Sequence, residues 1–287
     1  MPLQFLAASL IQAYPTGSRL TSGVKSGTVN RALSVVGIVL KRANKRYRDV
    51  NGRPWLAHVP EITKQNWGDK RKAHILTDLE EYYLMAALSD DFRKIVGFLL
   101  NTGLRAGELC ALRWDWLEPR EHLSCFVFAG EKTKNQLDRL IALNSNALQI
   151  LSQQRGLHEH YVFPGRSGQR KELKSTGWRR GRERERAADA FERGEGKPAS
   201  DSFRNLRLHD LRHTFATRLR RLGVSHETRK DLMDHAQGDV TTLYSQVEVF
   251  ELWRSVELLC SSDLGADILQ FPAKSPHGHH LKQGGLG

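Results

Sequence analysis

Residues 205–244 read NLRLHDLRHTFATRLRRLGVSHETRKDLMDHAQGDVTTLY, and the rest of the chain is best understood from this stretch. His209 and Arg212 stand one helical turn apart near its start, His235 follows, and Tyr244 closes it. Leu208, Leu211, Phe215, Leu219 and Leu222 recur at helical spacing, so the stretch opens with an amphipathic helix beginning at Arg207 or His209, and Gly223 ends it. His209, Arg212, His213 and Ala216 are expected to face away from the centre of that apolar stripe. Ser225 is placed to cap a helix running to about Met233, and Asp239 to cap another that carries Tyr244. Two histidines, an arginine and a tyrosine in this order have the chemistry to hold a phosphate and attack it.

The surrounding composition suits that chemistry. The chain has 287 residues, long enough for two domains, with 39% hydrophobic and 26% charged residues, as in ordinary globular proteins. Its formal net charge of +12 and pI of 9.8 suit a polyanionic partner, and nucleic acid is the commonest one. Cys110, Cys125 and Cys260 are odd in number and far apart, which argues against a disulfide framework or a zinc knuckle and fits a reducing compartment. No apolar run approaches the roughly 18 residues of a membrane span, so no membrane is expected. The start, MPLQFLAASLIQAYPTGS, lacks a basic residue before its short apolar run and is not read as a signal peptide.

Upstream, Leu3–Ala13 forms one possible short helix and Thr28–Tyr47 a clearer one. Leu33, Val36, Ile38, Val39 and Leu40 are expected to supply the apolar side of the second. Lys41, Arg42, Lys45, Arg46 and Arg48 crowd its end, where they either complement the helix dipole or neutralise DNA phosphates. Residues 49–72, with Pro54, Pro60 and Asn/Gly turn signals, read as a linker. A second domain then starts with Thr77 and Glu80 at the spacing of a capping box. Helices are expected over Asp91–Leu100, closed by Gly103, and over Arg105–Arg113. Ser124–Gly130 and Leu137–Leu143 read as the strands of a hairpin around the polar turn EKTKNQ. Asn144 is placed to cap a helix to about Gln154, and Trp178–Phe191 has helical character within a long polar stretch, 165–204. Its RRGRERER run mixes signs and reads as a solvated helix face. Residues 261–287 read as a flexible tail, the HGHH cluster included, and the fold as mainly α with a small three-stranded antiparallel β-sheet, an α+β arrangement.

Breaking a phosphodiester with a side-chain nucleophile needs in-line geometry, cationic donors for the non-bridging oxygens, and proton transfer at both the attacking and the leaving oxygen. No convincing acidic cluster offers a metal route, whereas arginine matches phosphate with its planar fork. Here the sequence resembles the catalytic domain of the tyrosine recombinases, the phage integrase family, over about residues 72–250. NTGLRAGELCALRW matches the family pattern T-G-L-R-x-G-E and puts a catalytic arginine at Arg105, with Glu108 as its supporting acid. EKTKN resembles the hairpin turn bearing the catalytic lysine; Lys132 is the better match and Lys134 the alternative. HDLRHTFAT matches H-x-x-R at His209 and Arg212, with His213 structural, and LMDH resembles the L-G-H box, with Asp in place of Gly, at His235. Tyr244 follows at the family's spacing.

The resemblance implies a DNA strand-exchange enzyme with Tyr244 as nucleophile and a 3′-phosphotyrosyl intermediate, needing no ATP, metal or other cofactor. It implies double-stranded DNA as partner, a homo-tetramer on paired sites, and a DNA-associated protein in the cytoplasm of a bacterial or phage setting. The implied organisation is a partial helical core-binding domain and linker at 1–66, a catalytic domain at 72–260 and the tail at 261–287. Only Lys25–Ile62 resembles the family's helical DNA clamp, and residues 1–24 look too short for its remaining helices. Two further readings therefore stand beside the recombinase: a shortened integrase-fold DNA-binding protein without productive recombination, and a type IB topoisomerase-like enzyme. The stretch from Val249 to Leu259 is suited either to docking on a neighbouring subunit or to packing on its own domain.

Overall fold

A computed structural model describes residues 24, 26–64, 71–120, 123–128, 139–173, 178, 181–233 and 246–261. The expected helix at Leu3–Ala13, the hairpin turn, the helix bearing Tyr244 and all of the expected tail beyond Ser261 lie outside these residues. The chain separates into two compact units, Met1–Lys72 and Ala73–Gly287.

In the first unit, helix α1 spans Ser26–Lys45. Val29, Asn30 and Leu33 are its buried residues, and a Cβ on Gly37 would meet Ile62 at 3.2 Å, so the inward face runs along these positions. This corrects the expected apolar side: Val36, Ile38 and Val39 are exposed, together with Val35. The next segment is also more ordered in its contacts than a plain linker. Arg48 and Pro54 form an antiparallel bridge, Tyr47 stacks on Trp55 at 5.0 Å, and the Asn44 amide donates to the Leu56 and Ala57 carbonyls. Proline and glycine here shape a turn that folds back on the helix that precedes it.

The second unit is mostly helical. Thr77 caps α2 (Asp78–Ala87) in the expected capping box with Glu80. Helix α3 (Asp90–Thr102) is buried along nearly its whole length and ends at Gly103 in the left-handed region, φ 62°. Short α4 (Ala106–Ala111) and a 3-10 turn (Trp114–Trp116) lead into the sheet. Strands β1 (Leu117–Arg120), β2 (Leu123–Phe128) and β3 (Arg139–Ala142) are antiparallel in the order β1-β2-β3. The hairpin of β2 and β3 was legible in the sequence; β1, with Pro119 inside it, was not, and it stands at the sheet edge, where proline is tolerated. Asn144 caps α5 (Ser145–Gln154) by accepting from Ala147 N–H at 2.9 Å.

Helix α6 (Arg182–Glu195) starts later than expected and is not wholly a solvated face: Glu183, Ala187, Ala188 and Phe191 are buried, and it packs on α2. Short α7 (Asp201–Arg204) precedes α8 (Leu208–Arg221), followed by α9 (His226–Leu232) and α10 (Gln246–Ser261).

Side-chain alternation in the sheet organises two cores. Phe126, Phe128 and Ile141 face the larger one, with α3, while Cys125, Leu140 and Ala142 face the smaller one, with Val249, Leu252, Val256 and Leu259 of α10. The C-terminal stretch thus packs on its own domain, of the two arrangements its sequence allowed. Glu257 receives the Ser145 N–H at 3.0 Å, and the Asn144 amide donates to the Val256 carbonyl at 3.1 Å. Helix α8 belongs to both cores, with Leu211 in the larger and Phe215 and Leu219 in the smaller.

Candidate active site

Two helix N-termini are built alike. Thr102, Gly103 and Leu104 turn the chain out of α3: Thr102 Oγ donates to the Phe98 carbonyl at 2.7 Å, Gly103 takes the left-handed conformation, and Leu104 is buried. A Cβ on Gly103 would collide with the Phe215 ring, so glycine is required for its conformation and for its close approach to α8. Arg105 is then the N-cap of α4. Its backbone N–H donates to Glu108 Oε2 at 2.8 Å and its guanidinium to Glu108 Oε1 at 2.6 Å.

The same device opens α8. Arg207 is the N-cap, and Asp210, fully buried, accepts from its backbone N–H at 2.9 Å and from its guanidinium at 3.0 and 3.3 Å. In both places an acid in the first turn satisfies an orphan N–H, suits the helix dipole and fixes an arginine. The Arg207–Asp210 pair was not singled out from the sequence; its signal is the repeated Arg-x-x-acid spacing of RAGE and RLHD.

His209 follows Arg207 and is exposed. Partial burial, and then the charges of His213 and Arg212, push its pKa below the ordinary imidazole value of 6.5, against the opposing pull of Asp210. His213 stands perpendicular to it, with ring centroids 4.8 Å apart.

Arg212 differs from its expected orientation. It is 3% exposed, and its guanidinium reaches inward to the Gly103 carbonyl at 2.5 Å and to the Met233 carbonyl. It therefore joins the turn that presents Arg105 to the end of α9, just before His235 in sequence. Farther along α8, Thr214 Oγ accepts from the Leu76 N–H at 3.1 Å, and Arg218 pairs with the buried Glu81 of α2. These bonds fix the roll of α8, and with it the placement of His209.

A cavity of about 490 Å³ lies between the two N-termini, lined by Ala106, Gly107, Leu206, Arg207 and Leu208, with Trp178 among its other walls. A Cβ on Gly107 would meet nothing within 4 Å, so its side is open. Arg105 and Glu108 are thus joined to Arg212 through the turn at Gly103, and His209 stands one helical turn before Arg212 on α8; none of the four is in the lining of the cavity. Lys132, Lys134, His235 and Tyr244 lie outside the described residues. Among the described residues no group of three or more His, Cys, Asp or Glu could hold a metal ion, and no helix is long and apolar enough to cross a membrane. Lys41, Arg42, Lys45 and Arg46 belong to the other unit, on α1 and just beyond it, and all four are exposed.

Comparison with known proteins extends this picture. The integrase of Salmonella phage P22 is 24% identical over 193 residues, 67% of this chain and 46% of that protein. A tyrosine recombinase of Thermosipho africanus is 26% identical over 191 residues, 64% of this chain and 61% of the relative. XerC of Pseudomonas syringae pv. syringae is 28% identical over 193 residues, 63% of this chain and 58% of the relative. The chain thus spans less than two thirds of the length of these relatives.

Among solved structures, the Tn1549 transposon integrase in complex with transposon right end DNA superposes with a TM-score of 0.56 at 18% identity, covering 89% of this chain and 85% of that one. The XerH site-specific recombinase bound to its difH substrate superposes with a TM-score of 0.51 at 18% identity, covering 83% and 65%. These likenesses bear on the fold, which is that of the tyrosine recombinases. The sequence model of the phage integrase family matches residues 75–249, more than half of the chain, and the protein therefore belongs to the phage integrase family.

Proposed function

We propose that the chain is a site-specific DNA recombinase that cleaves and rejoins double-stranded DNA through a 3′-phosphotyrosyl intermediate. The observation that carries this reading is the Arg105–Glu108 helix start, tied by Arg212 to the helix that presents the exposed His209. Such a site offers fixed cationic donors where charge develops on a phosphate in an in-line displacement.

In this reading Tyr244 Oη attacks the phosphorus, a phosphotyrosyl bond forms, and the bond to the 5′ oxygen breaks. Arg105, held by Glu108, and Arg212, once it turns a donor away from the Gly103 and Met233 carbonyls it holds without DNA, stabilise the non-bridging oxygens. Lys132, or Lys134 in its place, protonates the leaving 5′ oxygen. His209 takes the tyrosine proton; its lowered pKa keeps it neutral and able to accept one near pH 7. His235 donates a hydrogen bond to the phosphate. The covalent link conserves the bond energy, and the reverse attack by a 5′-hydroxyl rejoins the strand. The first unit serves as a partial DNA clamp, with Lys41, Arg42, Lys45 and Arg46 on phosphates, and strand exchange takes place in a homo-tetramer on paired sites.

A nicked DNA substrate carrying the sequence that flanks the gene tests the reading. Incubated with the protein in chelator and resolved on a denaturing gel, it should give a covalent protein–DNA band that Tyr244→Phe abolishes while DNA binding persists. A band that survives in the Phe variant removes Tyr244 as nucleophile. Binding without any band favours the shortened, non-recombining form, and relaxation of supercoiled DNA without site preference favours a topoisomerase.

A further inference from the structure

Arg207 offers more than its place as the N-cap of α8 requires. The cap itself is a main-chain bond: the Arg207 N–H donates to Asp210 Oδ2 at 2.9 Å, and any residue but proline would supply that donor. The guanidinium is a separate matter. Its Nε and Nη2 hold the fully buried Asp210 at 3.3 and 3.0 Å, yet the Arg207 side chain is 48% exposed. Arg105, held by Glu108 at the start of α4, is 37% exposed. The bond to Asp210 does not use Nη1, so the pinned fork keeps donors for a second acceptor. The surroundings are cationic. Arg207 lines the cavity with Lys171 and Arg184, against one acid, Glu172, among the described residues. Arg184 donates to the Leu206 carbonyl at 2.6 Å, which anchors the turn just before Arg207. Gly107, two residues beyond Arg105, forms another wall, and its side is open. His209 follows two residues later; after burial, His213 and Arg212, the charge of Arg207 also depresses its pKa.

We infer that Arg207 binds the phosphate next to the scissile one on the cleaved DNA strand, and so positions that strand across His209. The inference rests on the recombinase reading given above. Neutralising Asp210 calls for a cation, but not for a fork half open to water. A strand carries a phosphate at every nucleotide, so a cation two residues from His209 meets the neighbour of the phosphate that reacts there. A guanidinium fixed before DNA arrives loses little freedom on binding, and its planar fork suits phosphate oxygens. Arg207 touches no reacting atom in this arrangement. It is a positioning residue, and its loss acts more on the DNA concentration the enzyme needs than on the rate at saturation.

The test pairs the residue with the phosphate. The covalent adduct on the nicked substrate is first mapped to its phosphate. The substrate is then remade with an uncharged methylphosphonate at one or the other neighbouring position, and adduct formation by the full chain is followed over a range of DNA concentration and salt. Arg207→Gln leaves Asp210 buried without its cation, so it is paired with a second variant, Arg207→Gln with Asp210→Asn. This variant removes both charges and keeps an acceptor for the N–H of residue 207. Circular dichroism and urea unfolding verify its fold. On the all-phosphate substrate the double variant should need about tenfold more DNA for half-saturation, with a salt slope lower by about one. Arg207→Lys keeps a cation beside Asp210 and should retain the wild-type salt slope. With methylphosphonate at the contacted position, wild type and double variant should differ by less than about twofold.

A double variant that needs no more DNA than the wild type overturns the inference and leaves Arg207 as the neutraliser of Asp210. A wild-type advantage that survives methylphosphonate at both neighbouring positions also overturns it, as does a loss that falls wholly on the rate at saturation. If the wild type forms no adduct on the all-phosphate substrate, the recombinase reading fails and takes the inference with it. Adduct formation that is equally sensitive to Arg207 on every substrate defeats the phosphate contact alone.

Discussion

Arg212 and Lys45 carry the same charge in very different settings. Arg212 is buried on α8, with donors on two main-chain carbonyls from distant parts of the domain. Lys45 is exposed in the last turn of α1, on a helix with no acidic residue. A buried guanidinium must satisfy its donors locally, so it becomes a bracket that fixes the parts around it. An exposed ammonium keeps its hydration and contributes a long-range field. Substitutions in the first setting should therefore disturb stability and chemistry together, whereas those in the second should change only attraction to a polyanion.

The contrast can be broken at several places. Gly103→Ala should have the largest effect: the left-handed backbone and the Phe215 ring both oppose a Cβ, and a loss of about 3 kcal/mol or more is expected by urea unfolding. Arg212→Lys keeps the charge and loses the planar fork that spans both carbonyls. A loss of about 2–3 kcal/mol in the same assay is expected. Covalent-adduct formation should fall at least a hundredfold even where the variant is folded, on the order expected for one lost transition-state donor. A fully stable and active Arg212→Lys chain would show that the bracket is dispensable.

The pH dependence sharpens the site side of the comparison. His209 has a folded-state pKa below its ordinary value, so between the two the unfolded chain binds more protons. Stability should therefore fall as pH drops from 6.5 through the lowered value, and His209→Gln should remove that part of the dependence. Adduct formation should hold until pH reaches the lowered pKa and then fall by about tenfold per pH unit, as the base becomes protonated. The smallest structural effect belongs to the exposed side: Arg42→Gln with Lys45→Gln should leave stability within about 0.5 kcal/mol. It should still lower the salt slope of DNA binding by about two.

Much of the second unit was legible because its signals are local. Thr77 with Glu80, Gly103, Asn144, Ser225 and the apolar spacing of Leu211, Phe215 and Leu219 each specify a cap or a face within a few residues. The proposed catalytic residues are an order of residues read through family resemblance. The geometry of Arg212 was not legible, because its partners are carbonyls: Gly103 and Met233 carry no side-chain signal for that role. The face of α1 was misassigned for a related reason. Val35, Val36, Ile38 and Val39 look like a core in a count of apolar residues, yet Asn30 and Gly37 stand on the inward side, where no hydropathy count places a core.

The bonds that seat α8 also bear on how the domain comes to be folded. Leu76 with Thr214 and Glu81 with Arg218 join residues separated by 138 and 137 positions. Such contacts give a high contact order, and loop-closure entropy is spent before they form. As the chain leaves the ribosome, α2 and α3 emerge long before α8, the helix that belongs to both cores. A nascent chain stopped before α8 leaves apolar surface on α3 and the sheet without its partner, a state prone to aggregation or chaperone capture. The strand-cleavage and rejoining chemistry proposed for this protein would then be absent from every incomplete chain, since the turn bearing Arg105 gains its bracket only when the last third of the domain arrives.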